Sequence, residues 1–334
     1  MTTTYYADFD LATGDNDGTT AANAWQTFAD VIAGSNGTAP AASDTVLCKG
    51  TDTLSATVNV TGIGGAYNTG YIRFIGVNAL WENVGDTTRA VIDANGQNIS
   101  ALTFNNAKYL WFENFEVKGA GSSGTATHGV SCITAGSEYT VWVNCTFHNN
   151  YGSGVYANSL LDHARFFMCS FYSNASHGIV AHRYGITAFC RAYSNTAIGF
   201  SAAFCLHIGC IAHDNGTYGF SGYSSGCINC VADSNSTSGI SYTNPSGIGV
   251  AIGCRVTSNG IGVNEEALLR MLLFYCYGDN TTETYGDYDE ILHNGAATVT
   301  LNGTDTDEGY TDSSANNFDL VSSATYFSTA IAIP

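Results

Sequence analysis

Charge is what this sequence has least of. Lys, Arg, Asp and Glu make up 11% of its 334 residues, less than half the share usual in a soluble domain. Only three are lysines. That excludes a surface of solvated, ion-paired helices. The net charge of −18 also leaves no cationic face for nucleic acid or an anionic membrane. Proline is nearly absent, at 3 residues. No apolar run approaches the ~18 residues of a membrane-crossing helix. The opening MTTTYYADFD lacks the basic-then-apolar pattern of a signal peptide.

Other residues are plentiful. Gly (38), Tyr (20) and a 45% hydrophobic content suit many short strands and tight turns around a large core. The acids are unevenly spread. Residues 1–128 carry 12 acids and 5 bases, residues 129–260 carry 4 and 4, and residues 261–334 carry 12 and 1. Cysteine is the other abundance, at eleven. An odd count leaves at least one thiol unpaired in a monomer.

Six of these cysteines mark a repeat. Cys145, Cys169, Cys190, Cys210, Cys230 and Cys254 are each followed five residues later by Asn150, Asn174, Asn195, Asn215, Asn235 and Asn259. After the first five asparagines, four residues on, come Gly154, Gly178, Gly199, Gly219 and Gly239. The unit C-x4-N-x3-G recurs every 20 to 24 residues. Apolar residues sit two before the cysteine (Phe167, Ile208, Ile228), two after it (Phe147, Phe171, Val256) and one after the glycine (Val155, Phe200, Ile240). Period-2 columns of this kind read as strand faces turned into one core. The interval from each glycine to the next cysteine varies while the unit holds, as when loops leave one side of a solenoid. The reading is a β-solenoid whose coils stack ~4.8 Å apart. The cysteines fill an inward column as free thiols, and the asparagines sit at a turn where each can bond its stacked twin. Cys227 and Cys230, in CINC, have the spacing of a zinc half-site, but strand parity turns them to opposite faces and no second half-site follows.

At the N-terminus, NAWQTFADVIAG places Trp25, Phe28, Ala29 and Ile32 at helical spacing, ending near Gly34. This face suits a plug for the first coil. YYADFDLATGDNDGTTAANAWQTFADVI, followed by SDTVLCKGT, and then YIRFIGVN and YLWFENFEVKGA, resemble the opening and early coils of right-handed parallel β-helix proteins of the pectate-lyase-like superfamily. The resemblance implies an all-β, right-handed parallel β-helix. Residues 1–45 would form an N-terminal strand, turn and capping helix, residues 46–275 the coils, and residues 276–334 an acidic, stranded C-terminal cap or oligomer contact. That superfamily includes polysaccharide lyases, hydrolases, epimerases and phage tail spikes. The absent leader and the free thiols point toward a phage-encoded member, an extracellular or virion protein folded in a reducing cytoplasm.

Calcium-dependent pectate lyases, by the same resemblance, gather several acids on the middle coils. This sequence offers only Glu138, Asp162, Asp214 and Asp233 there. DFDLATGDNDG and GDYDE cluster carboxylates without the spacing of a known calcium loop, so calcium stays open and no metal ligand set is assigned.

The outward column three residues after each cysteine carries the chemistry. His148, Tyr172, Tyr193, His213 and Asp233 form one strip, with Arg191 beside Tyr193 on the same face. An arginine can neutralise a uronate carboxylate, and Tyr or His can move a proton. Asp233 beside His213 would orient the ring. Arg191, Tyr193, His213 and Asp233 are the candidate catalytic set. His148 and Tyr172, with His182 and Arg183 of AHRYG in a loop overhanging the groove, are candidate glycan contacts, and tyrosine ring faces suit sugar C–H surfaces. Three readings stay open: a phage-associated or surface-glycan-binding β-helix with or without cleavage, a free-standing polysaccharide lyase or hydrolase, and a purely structural solenoid. A homo-oligomer is compatible with each.

Overall fold

The computed structural model describes residues 2–85, 89–121, 127–132, 136–157, 161–242 and 248–265, and beyond these the strand segments 270–278, 283–285, 290–293, 299–301, 310–312 and 317–320. Side chains are described as far as residue 263, except those of residues 181, 182 and 248. The chain is an all-β parallel solenoid. Each coil contributes one strand to each of three ribbons, here called sheets A, B and C. Leu206–Ile208, Ile211–His213 and Tyr218–Tyr223 make one such coil. Each strand pairs in parallel, in register, with its equivalents before and after it. Sheet C runs nine strands deep. The acidic segment proposed as a C-terminal cap lies largely outside the described residues.

The asparagines hold the coils together. Asn150, Asn174, Asn195, Asn215, Asn235 and Asn259 are buried at the turn from sheet B to sheet C. Each amide nitrogen donates to the carbonyl oxygen of the next asparagine, at 2.9, 2.9, 3.0, 2.9 and 3.0 Å in turn. The same oxygen accepts the backbone N–H of the earlier asparagine, for example Asn215 N–H to Asn235 Oδ1 at 3.2 Å. The second amide hydrogen goes to a backbone carbonyl in the preceding sheet B strand, as from Asn215 to the Ala192 carbonyl at 3.0 Å. Four bonds saturate the amides of Asn174, Asn195, Asn215, Asn235 and Asn259, so burying them leaves no donor or acceptor unsatisfied. The left-handed residue is the one before it, such as Ser194 (φ 53°) or Asp214 (φ 53°). The glycine four residues on is required by space: a Cβ on Gly219 would lie 2.6 Å from the Gly239 carbonyl oxygen and 2.9 Å from Asn235 Nδ2.

A second left-handed residue, just before the cysteine, joins sheet A to sheet B. Asn144, Met168, Phe189 and Asn229 take it up with φ between 51° and 56°. It breaks strand parity, and this overturns part of the sequence reading. Trp142, Phe166, Thr187, His207, Cys227 and Ala251, three residues before each cysteine, point into the core. Val143, Phe167, Ile208, Ile228 and Ile252, two before, stand on the outer face of sheet A and are only half-buried. Cys227 and Cys230 therefore both face inward, each 1% exposed, because Asn229 turns the chain between them.

All six repeat cysteines are buried, with free thiols. Each Sγ lies against the carbonyl of the core residue on the preceding coil, as Cys190 on Phe166 at 3.3 Å and Cys210 on Thr187 at 3.3 Å. Burial pushes the Cys145, Cys169 and Cys190 thiols well above their ordinary range, which suppresses the reactive thiolate.

The N-terminal helix is shorter than expected. It spans Phe28–Ala33, capped by the Thr27 hydroxyl and ended by left-handed Gly34. Trp25 precedes it, bridged to Ala7. The buried face is Phe28 and Val31, while Ala29 is exposed and Ile32 only half-buried. Phe28 inserts among Phe9, Phe74, Phe112 and Phe115, with ring centroids 5.4 to 6.4 Å away.

Three outcomes follow for stability. Asn215→Ala strands the donors of Asn195 and the acceptor of Ala192, so chemical denaturation should show a loss of about 2–4 kcal/mol, against about 0.5 kcal/mol or less for exposed Thr196→Ala. Phe166→Ala should cost about 3–5 kcal/mol, and the outward Ile208→Ala clearly less; equal midpoint shifts would contradict the corrected parity. A native alkylation block should leave Cys169, Cys190, Cys210 and Cys230 titratable only after unfolding.

Candidate functional site

The outer face of sheet B is where polar chemistry gathers. Register places Asp93, Lys118, His148, Tyr172, Tyr193, His213 and Asp233 side by side on successive coils. The rings of this column stack on one another. His148 to Tyr172 is 4.6 Å at 6°, Tyr172 to Tyr193 is 4.9 Å at 9°, and Tyr193 to His213 is 5.0 Å at 1°. Parallel, in-register strands force this arrangement, because identical positions recur ~4.8 Å apart. It corrects one expectation. The ring faces are spent on each other, so the column offers edges, hydroxyls and ring nitrogens to a ligand rather than aromatic platforms.

At its N-terminal end the strip closes on itself. His148 is only 8% exposed, not solvent-facing as parity suggested. Its Nε2 meets Glu116 Oε1 at 3.1 Å, and Glu116 in turn pairs with Lys118 at 2.8 Å. The hydrogen bond from His148, helped by Lys118, holds the Glu116 carboxyl down at about 2. Glu116 raises Lys118 above its usual value, so this lysine stays a cation. Burial raises Tyr172, which keeps its phenol protonated. Arg89 reaches the same region, bonding Asn144 at 3.2 Å and the Thr146 hydroxyl.

At the other end the predicted His213–Asp233 contact is not formed, although the two residues are register partners. Asp233 accepts instead from the Thr257 hydroxyl and from Ser234 Oγ at 3.2 Å. Thr257, expected on the surface, is buried beside it. The His213 ring turns to the next residue in the chain, with Nδ1 2.8 Å from Asp214 Oδ2. Asp214 is the left-handed residue of its turn (φ 53°), and the reversal of the backbone there carries its carboxylate back to the ring. Nδ1–H donating to Asp214 leaves Nε2 as the open nitrogen. The His213 side chain is 34% exposed. Arg191 is exposed on the same face and, among the described residues, makes no ion pair.

Arg183 lies elsewhere. It belongs to the sheet C strand Ile179–Arg183, not to an overhanging loop. It grips Asp162 through Nε (3.1 Å) and Nη2 (3.3 Å), with Tyr184 at the turn into sheet A. His182 is in the same strand, but its side chain lies outside the described residues. The structure thus gathers Arg191, Tyr193, His213 and Tyr172 on one face and separates Arg183 from them.

Sequence reasoning missed Asp93, Glu116 and Lys118, because their coils precede the first cysteine of the repeat. Alternation in FEVK (Phe115 and Val117 inward, Glu116 and Lys118 outward) carried the signal. Asp214 was missed because strand parity does not extend to a turn.

Among the described residues, carboxylates for a cation do not converge. Asp8 pairs with Lys49 at 3.0 Å, Asp17 accepts from Thr19, and Glu138 pairs with Lys108 at 3.2 Å. Among the described residues no group of three or more His, Cys, Asp or Glu could hold a metal ion. Most of GDYDE lies outside the described residues. No described helix is long and apolar enough to cross a membrane.

No protein-family model matches the chain, and no curated protein matches its sequence. Solved structures do match. Pectate lyase Pel9A superposes with a TM-score of 0.70 over 97% of this chain and 90% of its own, at 18% identity. The two chains share a parallel β-helix fold. A rhamnogalacturonan lyase aligns at TM-score 0.57 and 15% identity, over 78% of this chain and 82% of its own. ORF18 of Geobacillus virus E2 aligns at TM-score 0.55 and 11% identity, over 89% of this chain and 60% of its own. At these identities the likeness is one of fold, and function rests on the site itself.

The Glu116 pair has a pH signature. A carboxyl held below its unfolded value contributes stability that is present above about pH 4.5 and lost as pH falls through about 2. Glu116→Gln should therefore lower the urea midpoint at pH 7, and the gap to the native protein should shrink steadily as pH falls from 4.5 toward 2. A gap independent of pH would place the stabilisation elsewhere.

Proposed function

We propose that this chain is a glycan-binding β-helix that engages an acidic polysaccharide along the outer face of sheet B and cleaves it by β-elimination. The observation that carries this reading is the exposed His213–Asp214 pair stacked against Tyr193, with unpaired Arg191 on the same strand as Tyr193. Residues two apart on one strand stand about 7 Å from each other, a span that one sugar ring bridges.

The roles follow from the chemistry of each group. Arg191 sits against the uronate carboxylate and stabilises the charge that develops as the adjacent C–H bond breaks. His213 Nε2 takes that proton, while Asp214 holds the ring in the required tautomer and stabilises the imidazolium. The C–H electron pair forms the new C=C bond and the glycosidic C–O bond breaks. The Tyr193 hydroxyl is placed to protonate the departing oxygen. Tyr172 extends the contact edge toward the neighbouring sugar. Asp233, engaged by Thr257 and Ser234, takes no part. The neutral charge balance of residues 129–260 removes the repulsion that the acidic ends would impose on such a polymer. Buried free thiols fit a chain that folds in a reducing cytoplasm before release, as a virion or surface-associated protein does.

A panel of acidic and neutral polysaccharides, read by ultraviolet absorbance of the unsaturated product and by direct binding, tests the proposal. With a cognate acidic glycan, Arg191→Ala and His213→Ala should each lower kcat/KM at least tenfold, about 1.4 kcal/mol. Asp214→Asn should lower kcat and shift its pH profile, and Asp233→Asn should leave both unchanged. Full turnover in the Arg191 and His213 variants would remove this face from consideration. Binding without product, lost in the same variants, would reduce the protein to a lectin-like role.

A further inference from the structure

The outer face of sheet A presents an unusual surface. Over five coils, from Arg165–Phe167 to Ile248–Ile252, its outward side chains include Ile186, Leu206, Ile208, Ile228, Val250 and Ile252, all half-buried. Among the described residues Arg165 is the one formal charge on it. Its margins are more telling. Met168 and Phe189, at the turn into sheet B, are 55% and 66% exposed, and Phe204, at the turn from sheet C, is 47% exposed. All three hold left-handed backbone, with φ of 53°, 56° and 56°. Such a position favours Asn or Gly, and the neighbouring coils do carry Asn144, Gly209 and Asn229 at the same turn as Met168 and Phe189. Backbone preference and solvent exposure both argue against Met168 and Phe189 at their turn, while Phe204 extends a ring stack from Tyr184, 5.3 Å away at 17°. The presence of Met168 and Phe189 is accounted for if the face is covered.

We infer that a second copy of this chain covers it, the two sheet A faces packing in an isologous dimer. Charge selects that occupant. Each copy carries −18 overall, but residues 129–260 balance 4 acids with 4 bases. This is the one stretch where two copies meet without mutual repulsion, whereas a cationic partner would be drawn to the acidic ends. Self-matching patches are what a two-fold interface needs. Area is consistent too. Five strands at ~4.8 Å by about five residues at ~3.3 Å give roughly 400 Å². Side-chain relief brings the total for two copies to about 1,000 Å², the lower bound of a specific interface. An interface at that lower bound fits a weak, reversible dimer, to be sought at micromolar concentrations.

Sedimentation velocity on the full chain from about 1 to 200 μM, a range chosen around that affinity, tests this. The native protein should pass from monomer to dimer with concentration. The triple variant Met168→Asn, Phe189→Asn, Phe204→Asn should stay monomeric with unchanged circular dichroism. Phe189→Asn alone, the mildest change, should raise the dissociation constant at least tenfold and keeps the test open if the triple variant does not fold. A native chain that stays monomeric throughout, or a dimer that survives Phe189→Asn undiminished, overturns the inference. Glycan binding by sheet B is read separately and is indifferent to either result.

Discussion

A buried amide hands the register of each coil to the next. Asn150 through Asn259 bond side chain to side chain, and from Asn174 onward each also bonds a backbone carbonyl of the preceding sheet B strand. A slip of one residue in any coil would break several bonds at once and leave polar groups stranded in the core. Hydrophobic stacking alone would not fix the register so sharply, because small apolar residues such as Ala192, Ala212 and Ala232 tolerate sliding. The outward columns exist because this ladder keeps them aligned. His148, Tyr172, Tyr193 and His213 stack with nearly parallel rings as a consequence of strand register, not of any attraction strong enough to impose it.

The same stacking shapes the chemistry. A column whose ring faces are consumed internally is a row of hydroxyl and imidazole edges, suited to hydrogen bonding and proton transfer rather than to sugar stacking. Its two ends differ for local reasons. At His148 the half-buried Glu116 carboxylate and Lys118 close the column into a structural ion network. At His213 the left-handed turn at Asp214 leaves the ring anchored on one side and open on the other.

The solenoid also divides its surface by chemistry. Sheet B carries the polar column, sheet A an apolar face with exposed Met and Phe at backbone positions that disfavour them. Net charge is near zero over the middle coils, where 4 acids balance 4 bases between residues 129 and 260, and the acidic excess collects toward the two termini.

The sequence by itself determined the coil. The C-x4-N-x3-G repeat, with apolar residues after each cysteine and glycine, leaves no other way to bury Phe147, Phe171 and Phe200 together, and it placed Tyr172, Tyr193 and His213 in one column. Parity could be read only along extended backbone. The left-handed residue before each cysteine lies outside that rule, so Ile208 and Phe167 moved from the core to the surface, and Cys227 moved in beside Cys230. Partner choice was likewise beyond the sequence. Asp233 and Asp214 are equally plausible beside His213 on paper, and the backbone reversal at Asp214, with Thr257 buried against Asp233, decided between them. Periodicity is local and survives in the sequence; the direction of a side chain at a turn depends on dihedrals that only the packed coils settle.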